Sequence, residues 1–249
     1  MQWTAVKVAS QILRHHHGVT ACVIGDLALT YYNAPGKHNV SELELCVPDS
    51  SVNAAPGLLC STGLFEPADL RKESAVDIQL HMRLCMSKYR LHFPSLRTTG
   101  WTEPLVLILL PASFFGLGRI EDLLVKWPEG RSFHLSKYLL AEGLGQNDIE
   151  RISFPRLKPL ITWLGKSYLY TNDGYERHPL QDLVDGLNLD EVWIQNHLQD
   201  ANPALAALLK GFIRTKRERI YMYGSDNTVT RFIKDEKEAE DVKRIPGYE

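Results

Sequence analysis

The chain predicts an α/β fold: a mixed sheet with flanking helices, followed by a helical C-terminal region. Three observations predict it. Short β-rich runs alternate with helix-patterned segments as far as about residue 115, and interleaving of this kind indicates a sheet covered by helices. Beyond that point the apolar residues fall at helical spacing. The apolar content is 44% over 249 residues, ordinary for a globular chain that buries a real core.

In the first part, residues 4–16 place Val6, Ala9, Ile12 and Leu13 on one helical face, and Gly18 ends the pattern. Residues 19–24 are a β-rich run that ends in Gly25-Asp26. Asp26 suits a helix N-cap, and a short helix is predicted over 27–32. Asn33-Ala34-Pro35-Gly36-Lys37 is a turn. A strand over 41–47 follows, then a helix over 51–62 weakened by Pro56-Gly57. Residues 75–93 predict two strands, and 105–110 a buried strand ending at Pro111.

The second part predicts helices over 133–142, 149–170, 178–186, 190–198 and 203–217, with a break at Pro155 inside the second. In the last of these, Pro203 suits the first helical position, and Leu205, Leu208, Leu209, Phe212 and Ile213 form the apolar face. Residues 223–249 are polar and predict a tail laid over the surface, anchored at Ile245-Pro246. The expected organisation is therefore 1–118 as the α/β domain, 119–222 as a helical region and 223–249 as the tail.

A net charge of −2 and a pI of about 6.5 give no global attraction to nucleic acid or anionic lipid. Met1-Gln2-Trp3 leads into an amphipathic pattern rather than a secretory signal, and the longest apolar run, 105–110, is too short to span a bilayer. No membrane association is expected. Cys22, Cys46, Cys60 and Cys85 are widely spaced, in apolar surroundings and without a C-x-x-C pair. They are expected to be free core thiols in a reducing compartment, which places the chain in the cytoplasm.

The chemistry-bearing feature is Ser41-Glu42-Leu43-Glu44-Leu45-Cys46-Val47. On a strand, residues i and i+2 share a face, so Glu42 and Glu44 stand side by side while Leu43, Leu45 and Val47 point into a core. Like charges so placed call for a cation or a shared proton, unless the face is solvated. Asp77 lies in a later strand-like run, 75–80. If that strand is a neighbour, three carboxylates converge in the oxygen-rich setting that magnesium prefers.

This arrangement resembles the nucleotidyltransferase superfamily: a strand ending in a glycine turn (Val23-Ile24-Gly25-Asp26), a strand with two acids one apart (Glu42-Leu43-Glu44), and a third acid (Asp77). More narrowly it resembles a fungal nucleotidyltransferase-like family. The stretches that carry this are Gly25-Asp26-Leu27-Ala28-Leu29-Thr30-Tyr31-Tyr32-Asn33, Leu58-Leu59-Cys60-Ser61-Thr62-Gly63-Leu64-Phe65, Phe93-Pro94-Ser95-Leu96-Arg97-Thr98-Thr99 and Pro111-Ala112-Ser113-Phe114-Phe115-Gly116-Leu117. The resemblance implies a nucleotidyltransferase-like fold, and magnesium as the cofactor, held by Glu42 and Glu44. Asp77 would be the third ligand or the base, and Gly25 would let the backbone approach a phosphate. It implies nucleotidyl transfer from a nucleotide to a small-molecule or other acceptor.

Two departures predict a degenerate active site. Asp26 follows Gly25 where active members carry Ser or Gly, and a carboxylate repels a triphosphate. Glutamates stand where Asp is usual, and the extra methylene shifts the ligand geometry.

Two other readings stand beside transfer. One is the same fold repurposed in fungal specialised metabolism as a cofactor-independent cyclase or Diels–Alderase, with an apolar small-molecule pocket. Its wall would draw on Tyr31, Tyr32, Phe114, Phe115, Trp163 and Tyr170, each of which also suits a plain core position. The other is a non-catalytic nucleotide- or partner-binding protein. Arg97 either clamps a phosphate or carboxylate or pairs with one of the three acids. His15-His16-His17 suits a helix C-terminus rather than a metal, because adjacent helical residues do not face each other. Lys210, Arg214, Lys216, Arg217 and Arg219 form a local basic patch that suits a helix C-terminus.

Overall fold

A computed structural model of the chain describes residues 2–35, 42–69, 93–101, 105–115, 119–128, 132–171, 174–199 and 202–249. In chain order the elements are α1 (Gln2–Gln11), β1 (Cys22–Ile24), α2 (Asp26–Tyr31), β2 (Glu42–Val47), α3 (Ala55–Cys60), β3 (Phe65–Pro67), β4 (Ser95–Thr98) and β5 (Val106–Pro111). They continue with α4 (Lys137–Ala141), α5 (Gln146–Ile149), α6 (Leu157–Thr171), α7 (Gly174–Gly186), α8 (Glu191–His197), α9 (Pro203–Arg214), α10 (Lys216–Met222) and α11 (Glu236–Val242). This is the mixed α/β class that the patterning predicts.

The chain forms two compact units, each built from separated segments. Unit 1 comprises Met1–Gly25, Asn39–Leu124 and Arg151–Phe154; unit 2 comprises Asp26–His38, Val125–Glu150 and Pro155–Glu249. These boundaries differ from the linear division at residues 118 and 222, because the chain crosses between units several times.

Among the described residues, unit 1 holds a five-stranded sheet in the order β1-β2-β5-β4-β3. β1 runs antiparallel to β2, β2 parallel to β5, and β4 antiparallel to both β5 and β3. α1 buries Trp3, Ala5, Val6 and Ala9, and a π-helical turn, Ile12–His16, continues it and buries Ile12 and Leu13. This is the face that the spacing predicts. The helix expected over 51–62 is shorter. Pro56 sits in the first turn of α3, where the missing N–H costs nothing, so it opens the helix instead of weakening it. β3 and β4 are short strands not anticipated from the sequence. The strands expected over 75–93 fall almost wholly outside the described residues.

Unit 2 is helical. Pro155 lies in the non-helical stretch between α5 and α6, as its missing N–H requires. The single helix expected over 203–217 is two helices, α9 and α10. At the break, the Thr215 hydroxyl donates to the carbonyls of Gly211 (3.2 Å) and Phe212 (3.3 Å). The final residues are not a surface tail. α11 is capped by Asp235, which accepts from the Glu238 amide at 2.9 Å, and Ala239, Val242 and Ile245 are buried. The Tyr31 hydroxyl donates to the Pro246 carbonyl and the Leu157 amide to the Gly247 carbonyl, each at 2.8 Å. No described helix is long and apolar enough to cross a membrane.

Candidate functional site

β2, an interior strand of the unit 1 sheet, holds the two glutamates. It has β1 on one edge and β5 on the other, and all six of its residues are buried. Leu43, Leu45 and Val47 occupy one face of the pleat; Glu42, Glu44 and Cys46 occupy the other. Glu42 is 7% exposed and Glu44 5%, so the solvated strand face is not what the fold provides.

The strand register names what stands beside them. Glu44 lies opposite Ile24 on β1 and Ile108 on β5, and Glu42 lies opposite Val106. These three apolar neighbours occupy the positions directly beside the glutamates on the paired strands. Asp77 lies outside the described residues. Among the described residues no group of three His, Cys, Asp or Glu side chains is arranged to hold a metal.

The turn after β1 is built against Glu44. Gly25 has φ +65°, a left-handed conformation natural to glycine. A Cβ at Gly25 would lie 2.5 Å from Glu44 Oε2, a distance that side-chain carbons do not tolerate. The backbone conformation favours glycine at this position, and any side chain there would push the Glu44 carboxylate aside.

Arg97 shares this sheet face. Arg97 pairs in register with Val106, and Val106 with Glu42, so the three lie in one row across β4, β5 and β2. Adjacent strands are spaced by about 4.8 Å, which puts the Arg97 and Glu42 backbones roughly 10 Å apart, within reach of a guanidinium stem. The Arg97 guanidinium forms an ion pair with Glu66, opposite it on β3, and both side chains are nearly half exposed. Glu66 is thus an acidic partner of Arg97 among the described residues.

The aromatic wall residues fall into different settings. Tyr31 and Trp163 are buried in unit 2, 1% and 6% exposed, and Tyr31 packs edge-on against Tyr32 with a centroid separation of 4.8 Å. The Tyr32 hydroxyl donates to the Pro155 carbonyl at 2.8 Å. These are core positions of the helical unit. Phe114 belongs to unit 1, half-buried and edge-on to Phe93 at 5.3 Å. The Phe115 and Tyr170 side chains lie outside the described set.

Asp26 is the first residue of α2 and belongs to unit 2. It contributes to the electrostatics of Asp182 on α7, whose carboxyl is pushed up to about 6, chiefly by burial. Arg231 opposes that shift, while Asp185 and Asp26 add to it.

Of the basic residues expected as a patch at 210–219, Arg214 and Arg217 are exposed, and Arg214 lies in the last turn of α9, whereas Arg219 and Lys216 turn inward. Arg219 is 4% exposed and donates to both oxygens of the fully buried Asp185, at 2.7 and 2.6 Å. Lys216 turns inward to Asn188 Oδ1 (2.8 Å) and the Leu189 carbonyl (2.5 Å), and burial lowers its pKa to about 8. Lys210 donates to Gln199 at 2.8 Å, and Arg214 lies 3.6 Å from Glu191. Arg231 completes the buried network by pairing with Asp185 at 2.7 Å and with Asp182. Sequence reasoning missed this network, because no local spacing marks a pair 34 residues apart.

His15, His16 and His17 are exposed at the end of the π-helical turn. Cys22 and Cys46 are buried, and burial holds both thiols protonated: Cys22 well above the usual range, Cys46 at about 12. No protein-family model and no curated protein sequence matches the chain.

Proposed function

We propose that unit 1 binds a nucleoside triphosphate with magnesium and transfers a nucleotidyl group to a small-molecule acceptor. The observation that supports this reading best is the contact between Gly25 and Glu44. A left-handed glycine with no room for a side chain lies directly against one of two adjacent buried carboxylates. A phosphate-bearing ligand needs that combination: bare backbone for close approach, and oxygen donors for the cation that travels with it.

The donor set fits magnesium in kind. Glu42 and Glu44 offer carboxylate oxygens from one face of one strand, and hard oxygen ligands are what this ion takes. These two residues would hold it, with Asp77 as the third ligand or as the base for the acceptor. Bound there, the ion would supply positive charge against the triphosphate. Arg97, in the same row as Glu42, would add a guanidinium for a phosphate oxygen, exchanging its exposed pairing with Glu66. That exchange is inexpensive, since exposed ion pairs contribute only about 0–1 kcal/mol.

The test is calorimetric titration of the full chain with ATP, GTP, CTP and UTP, with and without magnesium. Binding of at least one triphosphate is expected, weakened tenfold or more by removing magnesium or by Glu44→Gln. Arg97→Ala should weaken binding without removing the magnesium dependence. If none of the four triphosphates binds to folded protein, the reading fails.

A further inference from the structure

The cysteine pair at the edge of the unit 1 sheet is built to close. Cys22 on β1 and Cys46 on β2 are direct register partners in an antiparallel ladder, and both are free. The amide of Val23 donates to the Ser153 carbonyl at 2.9 Å, away from β2. Val23 and Leu45 are therefore the pair without mutual hydrogen bonds, and Cys22 and Cys46 the hydrogen-bonded pair. Opposed residues of that kind have Cα atoms about 5.5 Å apart, within the roughly 4.4–6.8 Å that a disulfide spans. Opposite residues also share a face, so both thiols lie on the glutamate side of the sheet.

Burial sets the conditions. Cys22 is 4% exposed and Cys46 2%, so a bulky oxidant is excluded while the sheet is closed. β1, however, is the outermost strand among the described residues, only three residues long, with the Val23–Ser153 hydrogen bond on its outer side. Opening three residues at an edge is a local event, far smaller than global unfolding.

We propose that Cys22 and Cys46 form a reversible disulfide under peroxide, stapling β1 to β2 three residues before Gly25 and two after Glu44. Once β1 opens to water, one thiol loses its proton and the thiolate attacks a peroxide oxygen, giving a sulfenic acid and, with that proton, one water. The second thiol then attacks that sulfur, forming the S–S bond and releasing a second water. Two thiols are oxidised by two electrons, and one hydrogen peroxide is reduced. The bond restricts the glycine turn, because β1 can no longer separate from β2. The proposal is independent of whether nucleotides bind.

The experiment uses the full chain carrying Cys60→Ser and Cys85→Ser, folded at neutral pH as judged by circular dichroism. It is exposed to hydrogen peroxide, denatured, alkylated with iodoacetamide and digested without reductant. The expected result is a linked peptide containing Cys22 and Cys46, lost on treatment with dithiothreitol. Slowed hydrogen exchange at Val23 and Ile24 in the oxidised form is also expected. Recovery of both cysteines alkylated, or as sulfinic acids, from folded protein would overturn the proposal, as would unchanged exchange in the linked form. The same treatment of the unsubstituted chain should give the same linked peptide, which guards against an artefact of the two serines.

Discussion

Glu44 Oε2 lies 2.5 Å from the point a Cβ on Gly25 would occupy, while Gly25 itself sits at φ +65°. The turn after β1 and the acid on β2 are thus a single fitted unit. For Gly25→Ala, the left-handed conformation alone costs about 1–2 kcal/mol, and the carboxylate must also move. In a chain of this size each kcal/mol corresponds to roughly 2–4 °C in Tm. A thermal melt should therefore show a drop of several degrees, with any triphosphate affinity lost more steeply than stability. An unchanged melting temperature would refute the contact.

Arg219 and Arg231 both depend on Asp185, which is fully buried. Removing one partner of a buried ion pair typically costs about 3–5 kcal/mol, because the other charge is left without compensation. Asp185→Ala leaves two guanidinium groups so placed, and Arg219→Ala leaves a carboxylate that still has Arg231. Urea denaturation should rank Asp185→Ala as the more damaging change. Equal losses would mean that Arg231 contributes nothing to the network.

Lys216 links stability to alkaline pH. Burial, its largest influence, lowers its pKa to about 8 from 10.5; Asp185 and Asp190 oppose the shift, and Arg219 and Lys243 add to it. Between those two values the unfolded chain holds the proton and the folded chain has released it. Stability contributed by this group therefore rises with pH across that window. Below pH 8 the folded protein carries a buried ammonium at a cost. Urea midpoints at pH 7.5 and 10 should show Lys216→Met gaining on the unsubstituted chain at the lower pH and losing that advantage at the higher. A constant difference would count against the burial assignment.

Two helical glycines should respond in opposite directions. At Gly186 a Cβ would collide with the backbone carbonyl of Asn33, whose amide side chain donates back to the Gly186 carbonyl at 2.8 Å. Gly186→Ala should unfold or strongly destabilise unit 2, since backbone cannot step aside. Gly211, exposed in α9, has open space around its would-be Cβ, and alanine there should add about 1 kcal/mol from helix propensity. Paired thermal melts of the two variants separate these outcomes directly.

Local periodicity was enough for the elements whose neighbours are their own residues. The face of α1, the alternation of Glu42 to Val47, the strand before Pro111 and the apolar side of α9 all follow from spacing along the chain. The same alternation put Glu42 and Glu44 side by side before any fold was known. Tertiary structure decided what pairing across distance controls. It made β3 and β4 strands, gave Arg97 a partner in Glu66, and turned Arg219 and Lys216 inward to groups some 30 residues away. It drew the polar C-terminal segment into the core of unit 2 through the hydroxyl of Tyr31. It also set the glutamates of β2 between Ile24, Val106 and Ile108 and pressed Glu44 against Gly25. Periodicity encodes which face a side chain takes. Only the order and register of the strands determine which group it meets there.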